Sequence, residues 1–212
     1  SLYSLLVIYM VHVLNFTDGK SYLVFASFNA ILYTSPIIGG WLADRYLNAH
    51  TAVLHGCIWL ILGYLGLALS HGAGAMYYSL SLLIWGNGLF KPNISTVLGC
   101  CYKEDDPRRE RGFTIYYMGI NIGAIIGTIG CGWLALHVSW EAAYLTVAAG
   151  MLLGIITYVV KSEAIKNDVK IEESLQPNVK THLGILALGL ILIWPLTSVL
   201  ASKHISSLCL NS

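Results

Sequence analysis

Apolar stretches alternate with short polar punctuation along the whole chain. Residues 2–14 are apolar but short for a membrane crossing at about 1.5 Å per residue, so they predict the end of a helix. A polar turn, Asn15-Phe-Thr-Asp-Gly-Lys20, leads to a second helix over 21–43 that contains Pro36 and Gly39-Gly40. Residues 44–50 predict a polar loop, 51–70 a third helix, and 70–75 a glycine-rich turn. The fourth helix covers 76–101, and the loop 102–112 that follows holds the densest run of charge. Helix five over 113–136 turns at 137–139 into helix six over 140–160. A polar linker, 161–182, precedes a seventh apolar run over 183–201 and a tail over 202–212. Runs of roughly 20 apolar residues are long enough to span a bilayer. The expected architecture is therefore an all-α membrane bundle of six helices over 1–160, the first incomplete, with one extra transmembrane helix.

Composition fixes the class. Of 212 residues, 56% are hydrophobic and 11% charged, and the mean hydropathy is +0.67. Soluble domains run nearer a quarter charged, so the lipid bilayer is the expected surroundings. The five cysteines, Cys57, Cys100, Cys101, Cys131 and Cys209, show no metal-ligand spacing and are expected as small packing residues. No nucleophile–base pair, metal constellation or phosphate loop stands out. That argues against an enzyme and calls for no cofactor, and a net charge of +1 gives no reason to expect nucleic acid. No cleavable signal peptide is visible. The chain starts at Ser1 and is apolar by Leu5, which suggests a start further upstream.

The basic residues set the orientation. The 2–3, 4–5 and post-6 segments carry Arg45, Lys103, Arg108, Arg109, Arg111, Lys161, Lys166, Lys170 and Lys180, against Lys20 and Lys203 on the other side. The positive-inside rule then places 44–50, 102–112 and 161–182 in the cytoplasm.

The candidate chemistry centres on Lys91, which shares an apolar run with Asn87, Pro92 and Asn93. A lysine at mid-depth costs about 2.5–3.5 kcal/mol on insertion scales and usually faces a bundle interior or wet cavity. It is either paired structurally with another helix or part of a transport path. Pro92 frees the Gly88 carbonyl four residues earlier, and interrupted helices at mid-depth often line cavities. All eleven acids lie in loops or at helix ends, so no counter-charge for Lys91 stands mid-membrane. In helix five Gly119, Gly123 and Gly127 share one face, the small-residue spacing that lets two helices approach. Asn121 between them is either an interhelical hydrogen-bond donor or a ligand contact. Tyr33, three residues before Pro36, is either a buried tyrosine bonded to a neighbour or a phenol offered to a polar ligand. His12, His55 and His71 are expected to be structural.

Three motifs carry a resemblance. Gly39-Gly-Trp-Leu-Ala-Asp-Arg45 looks like the loop between helices two and three of the major facilitator superfamily. Gly88-Leu-Phe-Lys-Pro-Asn-Ile-Ser95 and Gly112-Phe-Thr-Ile-Tyr-Tyr-Met-Gly-Ile-Asn-Ile-Gly123 resemble the helix-four and helix-five signatures of the proton-dependent oligopeptide transporters. The resemblance covers roughly 1–160, and 183–201 looks like the first of the extra helices that bacterial members insert between their halves. It implies a cell-membrane symporter, taking up di- and tripeptides with protons by alternating access between two six-helix bundles. Lys91 matches the family lysine that handles protons and the peptide carboxylate with helix-one glutamates. Asn121 and Tyr33 match residues lining the same cavity, and Gly40, Asp44 and Arg45 match the gating loop.

The departures are as informative. The family's helix-one signature, Glu-x-x-Glu-Arg-Phe, would fall just before Ser1, and nothing resembles the C-terminal bundle. The chain is expected to be a fragment whose missing half is its main partner. The competing expectations are a non-transporting remnant or scaffold, and another major facilitator such as a drug–proton exchanger.

Overall fold

The structure, a computed structural model, describes residues 2–70, 72–103, 105–168 and 178–202. They form α1 (Leu2–His12), α2 (Asp18–Tyr46), α3 (Ala49–Leu69), α4 (Ala73–Cys100), α5 (Arg108–His137), α6 (Trp140–Asp168) and α7 (Val179–Ala201). The order matches the apolar pattern, but the helices run further into the polar segments than hydropathy suggests.

Asp44 and Arg45, expected in a loop over 44–50, lie in the last turn of α2. No glycine or proline follows Gly40 to stop the helix, and a cation suits a helix C-terminus. The Leu47 N–H closes the end on the Leu42 and Ala43 carbonyls at 3.3 and 3.2 Å. Asn48 then caps α3, its Oδ1 accepting from the Thr51 N–H at 2.7 Å. The charged segment 102–112 is likewise shorter as a loop, because α5 starts at Arg108, directly after Pro107. Asp106 accepts the Arg108 backbone N–H at 2.8 Å and pairs with its guanidinium at 2.9 Å. The hydrogen bonds from Arg108 hold the Asp106 carboxyl below the ordinary carboxylate value. Helix α6 continues to Asp168, so the first part of the expected linker is helical. The rest of that linker up to 177, the tail from 203, His71 and Cys209 lie outside the described residues.

Among the described residues five helices, α2, α3, α5, α6 and α7, are long and apolar enough to cross a membrane. Helix α1 has only 11 residues. Helix α4 is long enough at 28 residues, but Asn87, Lys91 and Asn93 lower its hydropathy. It is nonetheless the central helix, packed against α2, α3 and α7. The main core joins Met10 of α1, Phe28 of α2, Leu67 of α3, Leu80 and Ile84 of α4 and Tyr144 of α6. Helix α7 completes a second cluster, Ile185 and Ile193 meeting Trp59, Trp85 and Leu89. Polar contacts also fasten α7: His55 Nε2 and His182 Nδ1 lie 2.9 Å apart, and the Ser81 and Thr197 hydroxyls 3.0 Å. Helix α5 is the outlier. Only Cys131 and Ala135 are buried along it.

Close helix contact falls where other glycines stand. A Cβ on Gly39 of α2 would collide with the Gly88 carbonyl oxygen and lie 2.8 Å from the Leu89 nitrogen of α4. A Cβ on Gly56 of α3 would lie 2.9 Å from the Gly86 carbonyl oxygen. By contrast, a Cβ on Gly119, Gly123 or Gly127 would meet nothing within 4 Å. The expected packing seam on helix five is therefore not a contact between described helices of this chain. The expected role of cysteine as packing holds for buried Cys57 and Cys131, whereas Cys100 is exposed.

Candidate functional site

Helix α4 brings Lys91 to the surface of the bundle between half-buried Phe90 and Pro92. The residues behind it set its position. Leu89 and Asn93 are buried, and the Asn93 amide donates to the Leu89 carbonyl of its own helix at 2.7 Å. Asn93 is thus satisfied internally, and Lys91 projects from the opposite, open side.

Tyr33 of α2 receives it. The Lys91 Nζ stands 5.1 Å from the centroid of the Tyr33 ring, within cation–π reach. Tyr33 is 70% exposed, so it is not the buried, helix-bonded tyrosine of the bland alternative. Its ring covers the ammonium on one side. Among the described residues the one ion pair is Arg108 with Asp106, so Lys91 carries no carboxylate partner there. A cation held by an aromatic face, with no carboxylate partner among the described residues, is chemically suited to accept a ligand carboxylate.

The structure does not bring Asn121 into this pair. Its Nδ2 donates to the Tyr117 carbonyl, one turn back on α5, at 2.9 Å. That bond satisfies the amide locally and leaves the side chain exposed. The expected interhelical bond is not made among the described residues. At the end of α2, the Arg45 guanidinium lies 5.9 and 6.0 Å from the Trp41 and Tyr46 rings, and Asp44 is exposed. Gly40 faces Pro92 of α4, a Cβ there lying 3.7 Å from the proline Cβ. The proposed gating residue and the helix-four proline are thus neighbours.

Cavities flank α4 among the described residues, and Lys91 lines neither of the following two. One of about 150 Å³, wholly apolar, lies between α2, α4 and α7 beside Ser35, Gly39, Gly88 and Leu192. The other, about 500 Å³, lies between the end of α4 and the start of α5, among Ser95, Thr96, Tyr102 and Arg109. No group of three or more metal-ligating side chains occurs among the described residues. Sequence reasoning missed the contacts that hold α7, since His55 and His182 are 127 positions apart. It also gave no role to Asn87, although an asparagine in an apolar run is itself a signal.

Comparison with known proteins places these features in context. The POT family (PTR2) model matches residues 50–204, which takes in the α4 and α5 motifs and all of α7. The chain is 34% identical over 199 residues to dipeptide and tripeptide permease A of Salmonella typhi, covering 91% of this chain and 40% of that protein. It is 35% identical to the permease of the same name from Escherichia coli (strain K12), with the same coverage. Among solved structures, tetrameric PepTSo2 superposes with a TM-score of 0.85 at 27% identity, covering 99% of this chain and 47% of that one. A mutant of the peptide transporter POT in complex with alafosfalin superposes with a TM-score of 0.77 at 32% identity, covering 93% and 42%. The chain thus spans less than half the length of these proteins.

Proposed function

The chain belongs to the POT family, and from that premise we propose that it supplies one wall of a proton-coupled di- and tripeptide symporter. The observation that carries this is the Lys91–Tyr33 pair, a cation over an aromatic ring on the open face of a membrane bundle. In this mechanism Lys91 binds the peptide carboxylate or exchanges a proton, and a carboxylate supplied from elsewhere in the transporter competes for it. The Tyr33 phenol and the Asn121 amide hydrogen-bond the peptide backbone, Asn121 exchanging its bond to the Tyr117 carbonyl for one to the ligand. Residues 1–160 act as one bundle, rocking against a second that the relatives' greater length accommodates. The open face bearing Gly119, Gly123 and Gly127 is where that second bundle approaches. The end of α2, with Gly40, Asp44 and Arg45, closes the cytoplasmic side. Segments 44–50, 102–112 and 161–182 face the cytoplasm, and the membrane potential favours inward proton movement.

Uptake of a labelled dipeptide into proteoliposomes by the natural-length protein, with and without an inward proton gradient, tests the proposal. Gradient-dependent uptake that Lys91→Gln reduces at least tenfold is expected. Equal uptake by the Lys91→Gln protein, or none under any gradient, would overturn it.

A further inference from the structure

Pro36 opens a gap in α2. Having no N–H, it cannot donate to the Leu32 carbonyl four residues back, although α2 runs unbroken through both positions. Two side chains fill the vacancy. The Ser35 hydroxyl donates to the Leu32 oxygen at 3.0 Å from within α2. The Asn87 Nδ2 donates to the same oxygen at 3.2 Å from α4. A carbonyl oxygen accepts two hydrogen bonds, so both fit at once. The serine bond is local and constrains nothing beyond α2, whereas the asparagine bond ties one helix to the other.

Its placement gives it a consequence. Tyr33 follows Leu32 directly, and Lys91 lies one helical turn beyond Asn87 on the same side of α4. The hydrogen bond and the lysine–tyrosine contact are therefore adjacent rungs between the same two helices. Because the Leu32 oxygen is acceptor-only, only an N–H or O–H at position 87 can face it. Leucine offers no donor, and aspartate would set a second acceptor against the first.

We propose that Asn87 is a positioning residue of the Lys91–Tyr33 site: its amide fills the hydrogen bond that Pro36 removes from α2, and so fixes the register that places Lys91 over Tyr33. Its importance for transport rests on the function proposed above, but the register itself does not.

A cycle of Asn87→Leu and Pro36→Ala in the natural-length protein tests this. Pro36→Ala returns an N–H to the Leu32 carbonyl and makes the asparagine dispensable. The first readout is the rate of cross-linking between cysteines introduced at positions 33 and 91 in a background free of native cysteines. Asn87→Leu is expected to slow it about tenfold, the scale of one lost hydrogen bond, and less than about twofold once Pro36→Ala is present. An equal loss in both backgrounds would overturn the proposal, as would no loss in either. If the leucine variant fails to fold, Asn87→Asp keeps the shape, removes the donor and repeats the measurement. The second readout, in proteins keeping Tyr33 and Lys91, is the KM for dipeptide uptake, expected to rise about tenfold in Asn87→Leu and to recover with Pro36→Ala. A cycle that holds in cross-linking while the KM stays unchanged supports the positioning role and overturns the transport role of the pair.

Discussion

Gly39→Ala puts a single methyl group where α2 and α4 touch backbone to backbone. The added Cβ would collide with the Gly88 carbonyl oxygen and sit 2.8 Å from the Leu89 nitrogen. Relief requires the helices to separate, because the obstacle is main chain rather than the end of a flexible side chain. Overpacking of this kind costs about 1–3 kcal/mol, and a rigid obstacle puts it near the top of that range. Alanine returns about 0.8–1 kcal/mol of helix propensity relative to glycine. The net loss is then about 2 kcal/mol, roughly a thirtyfold shift in the folding equilibrium. The control is the same substitution at Gly123, where the methyl meets nothing within 4 Å and only the propensity gain remains. Reversible unfolding of the 212-residue chain in mixed micelles, followed by helical circular dichroism, measures both. A Gly39→Ala chain as stable as the parent, or a Gly123→Ala chain that loses more than it, would refute the assignment of the packing seam. Repeating the pair in a chain extended to the relatives' length adds information, since a cost at Gly123 that appears only there marks a surface that the added segment buries.

Three further outcomes follow from the geometry. Tyr33→Phe keeps the ring under Lys91 but loses the phenol proposed to bond the peptide, so the KM should rise several-fold, about what one hydrogen bond of roughly 0.5–1.5 kcal/mol implies; Tyr33→Leu removes the ring as well and should raise the KM a further several-fold, roughly what a cation–π contact of about 0.5–1 kcal/mol implies, and uptake kinetics separate them. Gly189→Ala would place a Cβ 2.5 Å from Trp85 Nε1 and 3.0 Å from Trp59 Cζ2, so α7 should loosen, seen as a shift in tryptophan emission and faster proteolysis between α6 and α7. The Asp106 carboxyl, depressed mainly by its hydrogen bonds from Arg108, contributes order above its unfolded value of about 3.9 and loses it as pH falls through the lower folded value; protection of the Arg108 amide, taken relative to intrinsic exchange at the same pH, should fall in acid, and Asp106→Asn should flatten that response.

The membrane class and the order of the seven described helices were legible in one dimension, and so was the oddity of Lys91. Lys91 stood out because it is the one charge in a long apolar run, and such a residue rarely lacks a role. Helix ends were less legible. Arg45, Arg108 and Asp168 look like loop residues by hydropathy, yet helices continue past the membrane boundary wherever caps and backbone geometry permit. The small-residue pattern was only partly legible, for a related reason. Periodic glycines on α5 announce a face that can be approached, not a helix that approaches it. The glycines that do touch, Gly39 with Gly88 and Gly56 with Gly86, carry no such period within one helix. Tyr33 and Lys91 are 58 positions apart, and only the crossing of α2 and α4 makes them a pair.

That crossing has an internal logic that explains how a helix as polar as α4 can occupy the centre of the bundle. Each of its two helices contains one proline, and each proline orphans one carbonyl: Pro36 frees Leu32, and Pro92 frees Gly88. Both freed oxygens face the other helix. The Leu32 oxygen takes the Asn87 amide of α4, and the Gly88 oxygen lies directly against Gly39 of α2, where only a glycine leaves room. The polar atoms that make α4 too hydrophilic for a simple hydropathy criterion are thus largely consumed at its inner contacts. Asn93 bonds its own helix and Asn87 bonds α2, which leaves Lys91 as the polar group that this interface does not use. A lysine outside this hydrogen bonding, set over an exposed tyrosine ring with no carboxylate beside it among the described residues, remains available to a ligand. The same crossing therefore stabilises the bundle and presents the cation proposed to act in transport.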